Sequence, residues 1–386
     1  MNGILQIAGN NLMLLQSGSA YFPQLCADID AAHHSIYLET YIFAADETGH
    51  MVSAALRRAA ARGVTVRLML DGFGSAELPQ RWVDDLRSAG VEVQWFRRKI
   101  SPLTLRRSRL RRLHRKLVVI DGEIAFVGGI NITDDIPQRR GLAAPRLDYA
   151  VRLKGALTGE IHAVMRHLWG MVSWANVHHH SRRIHWRLRE AKRPQAAGDV
   201  ALVLRDNLRH RRDIERAYLK AIATAQHEII IANAYFLPGR VFRRALKLAV
   251  QRGVRVVLLL QGKVEYRLQH YATHALYEEL LGAGIEIYEY LPSYLHAKVA
   301  VVDGQWATVG SSNIDPFSLL LAREANLVVR DAAFAGEVRK SLMAALASEA
   351  RRVEFARESV FVHVLARMSY GIVRFLVGML GMSRRQ

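Results

Sequence analysis

The sequence predicts an α/β protein built from two similar halves, each a mixed sheet flanked by helices. Short β-branched runs alternate with segments in which apolar residues recur at helical spacing. This order of segments occurs twice along the 386 residues, and one motif of His, Lys, Asp and Asn also occurs once in each repeat. Strands that alternate with helices favour a parallel or mixed sheet covered on both faces.

Each element of the first repeat has its own local signal. The segment 48–62, for example, has Val52, Leu56 and Ala59 at helical spacing and is followed by Gly63, a residue typical of helix ends. We predict short strands within 1–20, helices over about 21–32, 48–62 and 79–89, and strands over 34–43, 64–70 and 91–96.

The second repeat uses similar sequences in the same order. The segment His34-Ser-Ile-Tyr-Leu returns as His227-Glu-Ile-Ile-Ile, and the segment 62–72 returns as 252–262. We therefore expect a first half at 1–177 and a second half at 199–345. The basic, turn-rich stretch 178–198 is predicted to link them, and 346–386 to form a helical C-terminal segment. The His triplet at 178–180 could bind a metal, but a solvated linker is the favoured interpretation.

The repeated motif is the strongest chemical signal in the chain. It reads His114-Arg-Lys116-Leu-Val-Val-Ile-Asp121-Gly in the first half and His296-Ala-Lys298-Val-Ala-Val-Val-Asp303-Gly in the second. On a strand, residues two apart project from the same face, so His and Lys of each copy point together. An ammonium group beside an imidazole repels a metal ion but suits an anion that is to be attacked. An Asn, Asn131 or Asn313, follows each His at the same separation.

Both copies fit the pattern H-x-K-x4-D-x6-G-G/S-x-N and resemble the signature of the phospholipase D superfamily. The surrounding sequence, including Ile231-Ala-Asn-Ala-Tyr-Phe, looks most like that of bacterial cardiolipin synthases of the type without N-terminal transmembrane helices. The resemblance covers nearly the whole chain. It implies two phospholipase D-like halves that are related by a pseudo-two-fold axis and build one site between them.

Roles in such a site can be assigned to the motif residues. Lys116 and Lys298 would neutralise the non-bridging oxygens of a phosphodiester, and Asn131 and Asn313 would donate hydrogen bonds to them. One His would attack phosphorus while the other protonates the leaving alcohol. The residues alone do not show which histidine attacks and which transfers the proton. The resemblance favours His114 as the nucleophile and His296 as the acid and base.

Four acidic residues complete the predicted site. The resemblance places one downstream of each motif to orient a histidine, and the matching positions are Asp148 and Glu324. Asp121 and Asp303 belong to the motif and are grouped with the catalytic residues, although holding the turn at the strand end is the favoured interpretation of their role.

The charge balance points to a polyanionic partner. Lys and Arg outnumber Asp and Glu by 54 to 35, a formal net charge of +19, which suits nucleic acid or an anionic membrane. The segment 97–113 leads into His114 and is expected to bind anionic phosphates, the alternative being a solubilising loop. Its basic residues predicted to contact headgroups or membrane include Arg106, Arg107, Arg109, Arg111 and Arg112.

The C-terminal stretch 359–380 is apolar but is interrupted by His363, Arg367 and Arg374, which fall with Tyr370 on one stripe of a helix. We expect this helix to lie in a membrane interface, with Arg367 and Arg374 towards anionic headgroups. A bilayer span and a helix packed on the protein are the alternatives. The N-terminus is not expected to be a secretory signal, and Cys26 is expected to be a small buried hydrophobe.

The expected function is transfer of a phosphatidyl group from phosphatidylglycerol to the hydroxyl of a second phospholipid through a phosphohistidine, releasing glycerol. No cofactor, metal or nucleic acid is expected to take part. The expected place is the cytoplasmic face of a bacterial inner membrane, bound peripherally to anionic phospholipid. The alternatives are a phosphodiesterase that hydrolyses phospholipid or nucleic acid, and a non-catalytic binding protein. The second lipid and the oligomeric state stay open.

Overall fold

The computed structural model describes residues 3–98, 111–136, 141–142, 144–177, 199–206, 210–316, 322–354 and 360–379. The first half contains the strands β1 (Leu5–Ile7), β2 (Asn10–Gln16), β3 (Ser35–Thr40), β4 (Thr65–Asp71), β5 (Glu92–Phe96), β6 (Arg112–Leu113), β7 (Lys116–Ile120), β8 (Ile124–Gly128) and β9 (Tyr149–Gly155). Its helices are α1 (Ser17–Asp30), α2 (Glu47–Ala61), α3 (Gln80–Ser88) and α4 (Ala156–Val177).

The second half repeats this arrangement. Its strands are β10 (Val200–Arg205), β11 (Glu228–Asn233), β12 (Arg255–Gln261), β13 (Glu286–Tyr290), β14 (Lys298–Val302), β15 (Trp306–Gly310), β16 (Ala322–Arg330) and β17 (Ala350–Arg352). The helices that follow are α5 (Asp213–Thr224), α6 (Arg240–Gln251), α7 (Arg267–His274), α8 (Tyr277–Leu281), α9 (Ala332–Ser348) and α10 (Val360–Met379).

The two sheets have matching strand orders. They run β1-β2-β9-β8-β7-β3-β4-β5 and β10-β16-β15-β14-β11-β12-β13-β17. The β3–β4–β5 and β11–β12–β13 pairings are parallel, while the other pairings along both sheets are antiparallel. The motif strands β7 and β14 lie at equivalent central positions. The prediction of two similar mixed sheets flanked by helices is therefore confirmed.

Element boundaries differ modestly from those predicted. Helix α1 begins at Ser17 rather than near residue 21, although Pro23 lies within it. Strand β3 ends at Thr40 rather than at residue 43, and Tyr41, which follows, lies beside His114. Cys26 is a free thiol that is half-buried against the core and not fully enclosed as expected.

Buried side chains form three layers of apolar core. One outer core belongs to each half, and an inner core lies between the two sheets. The inner core contains Leu168 of α4 and Val338 of α9, together with strand residues such as Val127 and Val309. Each large aliphatic side chain buried there contributes about 1.5–3 kcal/mol. This shared core holds the two halves together as one unit.

Backbone pairing also links the halves. The short strand β6 of the first half pairs in parallel with β16 of the second, and Leu147 forms a parallel bridge with Leu295. Both links lie next to a motif histidine in sequence, His114 after β6 and His296 after Leu295. The position of each histidine therefore depends on the opposite half.

The C-terminal helix α10 has three distinct faces. Ala366, Ser369 and Val373 are buried against the second half, where α10 packs on α7. Arg367 and Arg374 are exposed on a second face. The third face exposes large apolar side chains, namely Met368, Ile372 and Phe375.

Tyr370 lies beside Arg374 as predicted, with the guanidinium 5.8 Å from its ring. The ring is also half-buried and packs on the core of the second half, so the predicted stripe borders the packed face of the helix. No described helix is long and apolar enough to cross a membrane. The predicted linker 178–198 lies outside the described residues.

Asp121 and Asp303 hold turns at the ends of the motif strands, away from the histidines. The carboxylate of Asp121 accepts hydrogen bonds of 2.7–2.8 Å from the backbone N–H groups of His33, His34 and Ser35. Asp303 accepts the equivalent bonds from residues 226–228, and both aspartates have positive φ. These contacts agree with the favoured interpretation that Asp121 and Asp303 hold the turns at the strand ends, because each carboxylate accepts three backbone hydrogen bonds. Their grouping with the catalytic residues stays a prediction.

We expect Asp121→Ala to lower the free energy of unfolding by about 2 kcal/mol, because three backbone donors lose a charged acceptor. The melting temperature should fall by a few degrees. Asp303→Ala is the symmetry-matched variant and should behave alike. Asp30→Ala, which removes an exposed ion pair with Arg58, should change melting little. Unchanged melting in both turn variants would contradict this role.

Candidate active site

A cavity of about 350 Å³ lies between the halves and brings together the predicted site residues. Both motif histidines line it, as do both motif asparagines, Asn131 and Asn313. The motif lysines are buried just behind the histidines, with Lys116 4% exposed and Lys298 0% exposed. One shared cavity is thus lined by a histidine and an asparagine from each half, with a buried lysine next to each histidine.

Strand geometry sets the direction of the motif side chains. Strands β7 and β14 begin at Lys116 and Lys298, so each histidine lies two residues before its strand. Each lysine Nζ donates to the backbone carbonyl of its own histidine, at 2.7 Å in the first half. Arg115 points to the other side of the strand and forms a buried ion pair of 2.6 Å with Glu39. The alternation predicted from the sequence thus fixes which residues face the cavity.

The acidic partners of the histidines are exchanged between the halves. Nδ1 of His114 lies 3.0 Å from the carboxylate of Glu324, and Nδ1 of His296 lies 2.5 Å from that of Asp148. Backbone bonds reinforce the exchange. The His114 N–H donates to the carbonyl of Arg323, and the His296 N–H to that of Leu147. Each acid therefore serves the motif that it does not follow in sequence.

Each carboxylate is itself held in place. Glu324 accepts a hydrogen bond of 2.6 Å from the Ser311 hydroxyl, and Asp148 accepts one of 2.8 Å from the Tyr149 N–H. A carboxylate beside Nδ1 favours a proton on that nitrogen and leaves the Nε2 lone pair for chemistry. His296 differs from His114 in one respect, because Lys298 Nζ also lies 2.8 Å from its Nδ1.

Burial and like charges shift the pKa values of the basic groups. Burial, with the ammonium of the other lysine, lowers the pKa of Lys116 to about 7. Burial lowers the pKa of Lys298 to about 8. Burial also lowers the pKa of His114, and burial with the two lysines lowers that of His296 well below its usual value. Burial and mutual repulsion thus disfavour positive charge in this site, and an entering anion would favour the protonated forms of these groups.

Both motif asparagines line the cavity. The side-chain oxygen of Asn131 accepts a hydrogen bond of 3.2 Å from the Ile42 N–H, so its amide N–H groups are the ones that a ligand can use. In the second half, the residue after Asn313 is held by another amide, because the Ile314 N–H donates to the side-chain oxygen of Asn233 at 3.1 Å.

The cavity contains residues that sequence reasoning missed. The Tyr41 ring packs edge-on against the His114 ring, with centroids 4.7 Å apart, and Lys116 Nζ lies 5.3 Å from the same ring. Arg146 and Tyr266 also line the wall. Arg146 could have been noticed because it lies two residues before Asp148. Tyr41 has no comparable signal, since an aromatic residue at a strand end is most often core.

The predicted headgroup arginines have different positions. Arg112 lines the cavity, with its guanidinium 4.6 Å from the Phe73 ring, and Arg111 is half-exposed beside it. Arg106, Arg107 and Arg109 lie outside the described residues. Among the residues that the structure describes, no three His, Cys, Asp or Glu side chains are grouped as a metal site would require.

The exchanged pairing predicts a crossed effect on histidine titration. In Glu324→Gln the pKa of His114 should fall further, because the buried carboxylate stabilises the imidazolium. The pKa of His296 should change much less. NMR titration of protein carrying labelled histidine would measure both shifts, with His114→Ala and His296→Ala used to assign the signals. A larger shift at His296 than at His114 would contradict the exchange.

Comparisons with known proteins agree with this geometry. The family model described as "Cardiolipin synthase, PLD-like domain" matches residues 25–139 and 218–345. Cardiolipin synthase B of Escherichia coli K12 is 40% identical over 350 residues, which cover 90% of this chain and 83% of that protein. A probable cardiolipin synthase of Bacillus subtilis is 31% identical, covering 84% of this chain and 63% of that protein.

A solved structure shows the same fold. Phosphatidylserine synthase of Haemophilus influenzae superposes with a TM-score of 0.66 at 13% identity, covering 96% of this chain and 95% of that one. The motif pairs, the duplicated sheets and these similarities lead to one assignment. The chain belongs to the cardiolipin synthase family of the phospholipase D superfamily.

Proposed function

We propose that the protein is a phosphatidyltransferase that makes cardiolipin from phosphatidylglycerol and a second phospholipid. The observation that carries this proposal is the cavity in which two histidines, each held by the opposite half's carboxylate, stand beside two buried lysines. The lysines and the amides of Asn131 and Asn313 would bind the non-bridging phosphate oxygens and stabilise the charge that develops there.

In the first step, Nε2 of one histidine attacks the phosphorus of phosphatidylglycerol. The N–P bond forms, the P–O bond to glycerol breaks, and the other histidine gives a proton to the glycerol oxygen. In the second step, a hydroxyl of the acceptor lipid gives its proton to that second histidine. Its oxygen bonds to phosphorus, and the N–P bond breaks. One phosphodiester is exchanged for another, so the chemistry needs no nucleotide.

The contacts support His114 as the nucleophile and His296 as the acid and base. Nδ1 of His114 faces the Glu324 carboxylate, which favours a free lone pair on Nε2. Nδ1 of His296 faces an ammonium as well as a carboxylate. The Asp148 carboxylate, 2.5 Å from Nδ1, would stabilise the imidazolium of His296 once a bound phosphate offsets the ammonium charges, and the imidazolium carries the Nε2 proton that a leaving glycerol needs. The asymmetry agrees with the order that the family resemblance suggests.

Hydrolysis through the same intermediate is the competing function, with water in place of the acceptor lipid. Apolar surface near the cavity favours the lipid. Phe73 and Tyr266 line the cavity and are both more than half exposed. Helix α7, which starts beside Tyr266, packs against α10. The exposed apolar face is on α10 and points away from this contact. A site that opens on lipid can limit access of water, whereas a nuclease has no use for such a surface.

The same surface supports peripheral binding to an anionic membrane. On α10, the face with Met368, Ile372 and Phe375 lies next to the face with Arg367 and Arg374. Apolar burial and attraction to anionic headgroups would then act together. We place this contact on the cytoplasmic face of the inner membrane, because the chain has an excess of basic residues and anionic lipid is its proposed substrate.

Vesicles of phosphatidylglycerol labelled in the headgroup glycerol test the reaction. The purified protein should form cardiolipin and release one labelled glycerol for each cardiolipin made, with or without a chelator. Phosphatidic acid as the main lipid product would instead identify a hydrolase. With label in the phosphatidyl group, His296→Ala should accumulate acid-labile label on the protein and His114→Ala should not. The opposite pattern would reverse the roles of the histidines.

Membrane binding should separate into two parts in a salt series. Replacing Met368, Ile372 and Phe375 with Ser should leave weak, strongly salt-sensitive binding to anionic vesicles, since salt screens charges over about 10 Å at 0.1 M. Arg367→Gln with Arg374→Gln should leave binding that salt alters little. Ile4→Ser with Met51→Ser removes exposed apolar side chains of the first half as a control. Co-sedimentation with vesicles measures all three, and full-strength binding by the first variant would rule out α10 as the anchor.

A further inference from the structure

Cardiolipin contains two phosphodiesters joined by one glycerol, and the site described above accounts for only one of them. The lysines and asparagines of the motifs would bind the phosphate that reacts. The acceptor lipid brings a second phosphate, which does not react but lies one glycerol away from the attacking hydroxyl. Since that hydroxyl gives its proton to His296 in the proposed mechanism, the second phosphate must lie on the His296 side of the cavity.

The cavity wall is asymmetric on that side. The backbone N–H of His296 is bonded to Leu147 and its Nδ1 to Asp148, so Arg146, the preceding residue, lies alongside His296. In the other half, His114 is bonded in the same way to Arg323 and Glu324, and the preceding residue is Ala322. Both Arg146 and Ala322 line the cavity. Equivalent positions thus present a guanidinium next to one histidine and a methyl group next to the other.

The charge of Arg146 is available to a ligand. Its Nη1 donates to the backbone carbonyl of Asp134 at 3.0 Å, and among the described residues no carboxylate lies within ion-pair distance of it. The carboxylates of Asp135 and Asp148 interact with this guanidinium at longer range, and Asp135 also accepts from the backbone N–H groups of Gly18 and Ser19. A half-buried guanidinium with free N–H groups suits two parallel hydrogen bonds to a phosphate.

We propose that Arg146 binds the unreacted phosphodiester of the acceptor lipid and thereby makes the second step selective for phospholipid acceptors. This inference rests on the proposed transfer reaction. In this arrangement Arg146 contacts the phosphodiester of the acceptor, while the headgroup hydroxyl of the same lipid is the attacking group. The donor needs no such contact, because its only phosphate lies between the motif lysines.

Two products formed from one intermediate can test this subsite. Vesicles of phosphatidylglycerol with labelled free glycerol should give cardiolipin, whose formation places a second phosphate in the site. They should also give labelled phosphatidylglycerol by headgroup exchange, a reaction in which free glycerol is the acceptor and no second phosphate enters the site. Arg146→Gln should lower cardiolipin formation roughly 10–100-fold and raise the concentration of acceptor lipid needed for half-maximal rate, while exchange changes little. Arg146→Lys keeps the charge but not the planar fork, so it should give an intermediate ratio of the two products.

Arg112→Gln is the matched control, because it removes the same charge from the same cavity on the side of Phe73. It should lower both products by a common factor and keep their ratio. An equal fall of both products in Arg146→Gln would assign that residue to general electrostatics around His296 and overturn the subsite. The same selective loss in Arg112→Gln would overturn it as well. Absence of both products from the unmodified protein would instead overturn the proposed function, and the subsite with it.

Discussion

The exchange of carboxylates between the halves is the constraint on which the rest of the structure depends. His114 is oriented by Glu324 and His296 by Asp148, and the backbone N–H of each histidine also donates to the carbonyl of the residue before its partner acid. Neither half can orient its own histidine. The inner apolar core and the pairing of β6 with β16 are therefore as necessary to the site as the motif residues, because they fix the distance between each imidazole and its carboxylate.

The second constraint is electrostatic. Lys116 and Lys298 are buried together, and the loss of hydration lowers both pKa values into the range of 7 to 8. Two desolvated cations in one cavity destabilise the protein without a ligand and favour an anion strongly. The preorganised charge needs no rearrangement when a phosphodiester reaches its transition state. The aromatic ring of Phe73 and the guanidinium of Arg146 lie in the wall of the same cavity, where we propose that they help to select the anion.

The sequence predicts features that depend on neighbouring residues and misses features that depend on contacts between distant segments. The alternation of side chains along a strand predicts that His114 and Lys116 project from the same face. The duplication of the sequence predicts two matching sheets. The exchange of Asp148 and Glu324 was not predictable, because each acid follows the motif that it does not serve and only the packing of the halves reveals this. The burial of Tyr370 was not predictable for a similar reason, since helical spacing does not show which face of α10 packs on the protein.

The pairing of β6 with β16 also affects when the site can form during synthesis of the chain. A chain that leaves the ribosome N-terminus first presents the whole first motif before Glu324 and β16 have been synthesised. During that interval His114 has neither its carboxylate nor its backbone acceptor, and the cavity has one wall. A nascent or prematurely terminated chain would therefore have a first motif whose histidine is not oriented. The site can form only when the last sheet to be made is complete, so its assembly is delayed until the second half has folded.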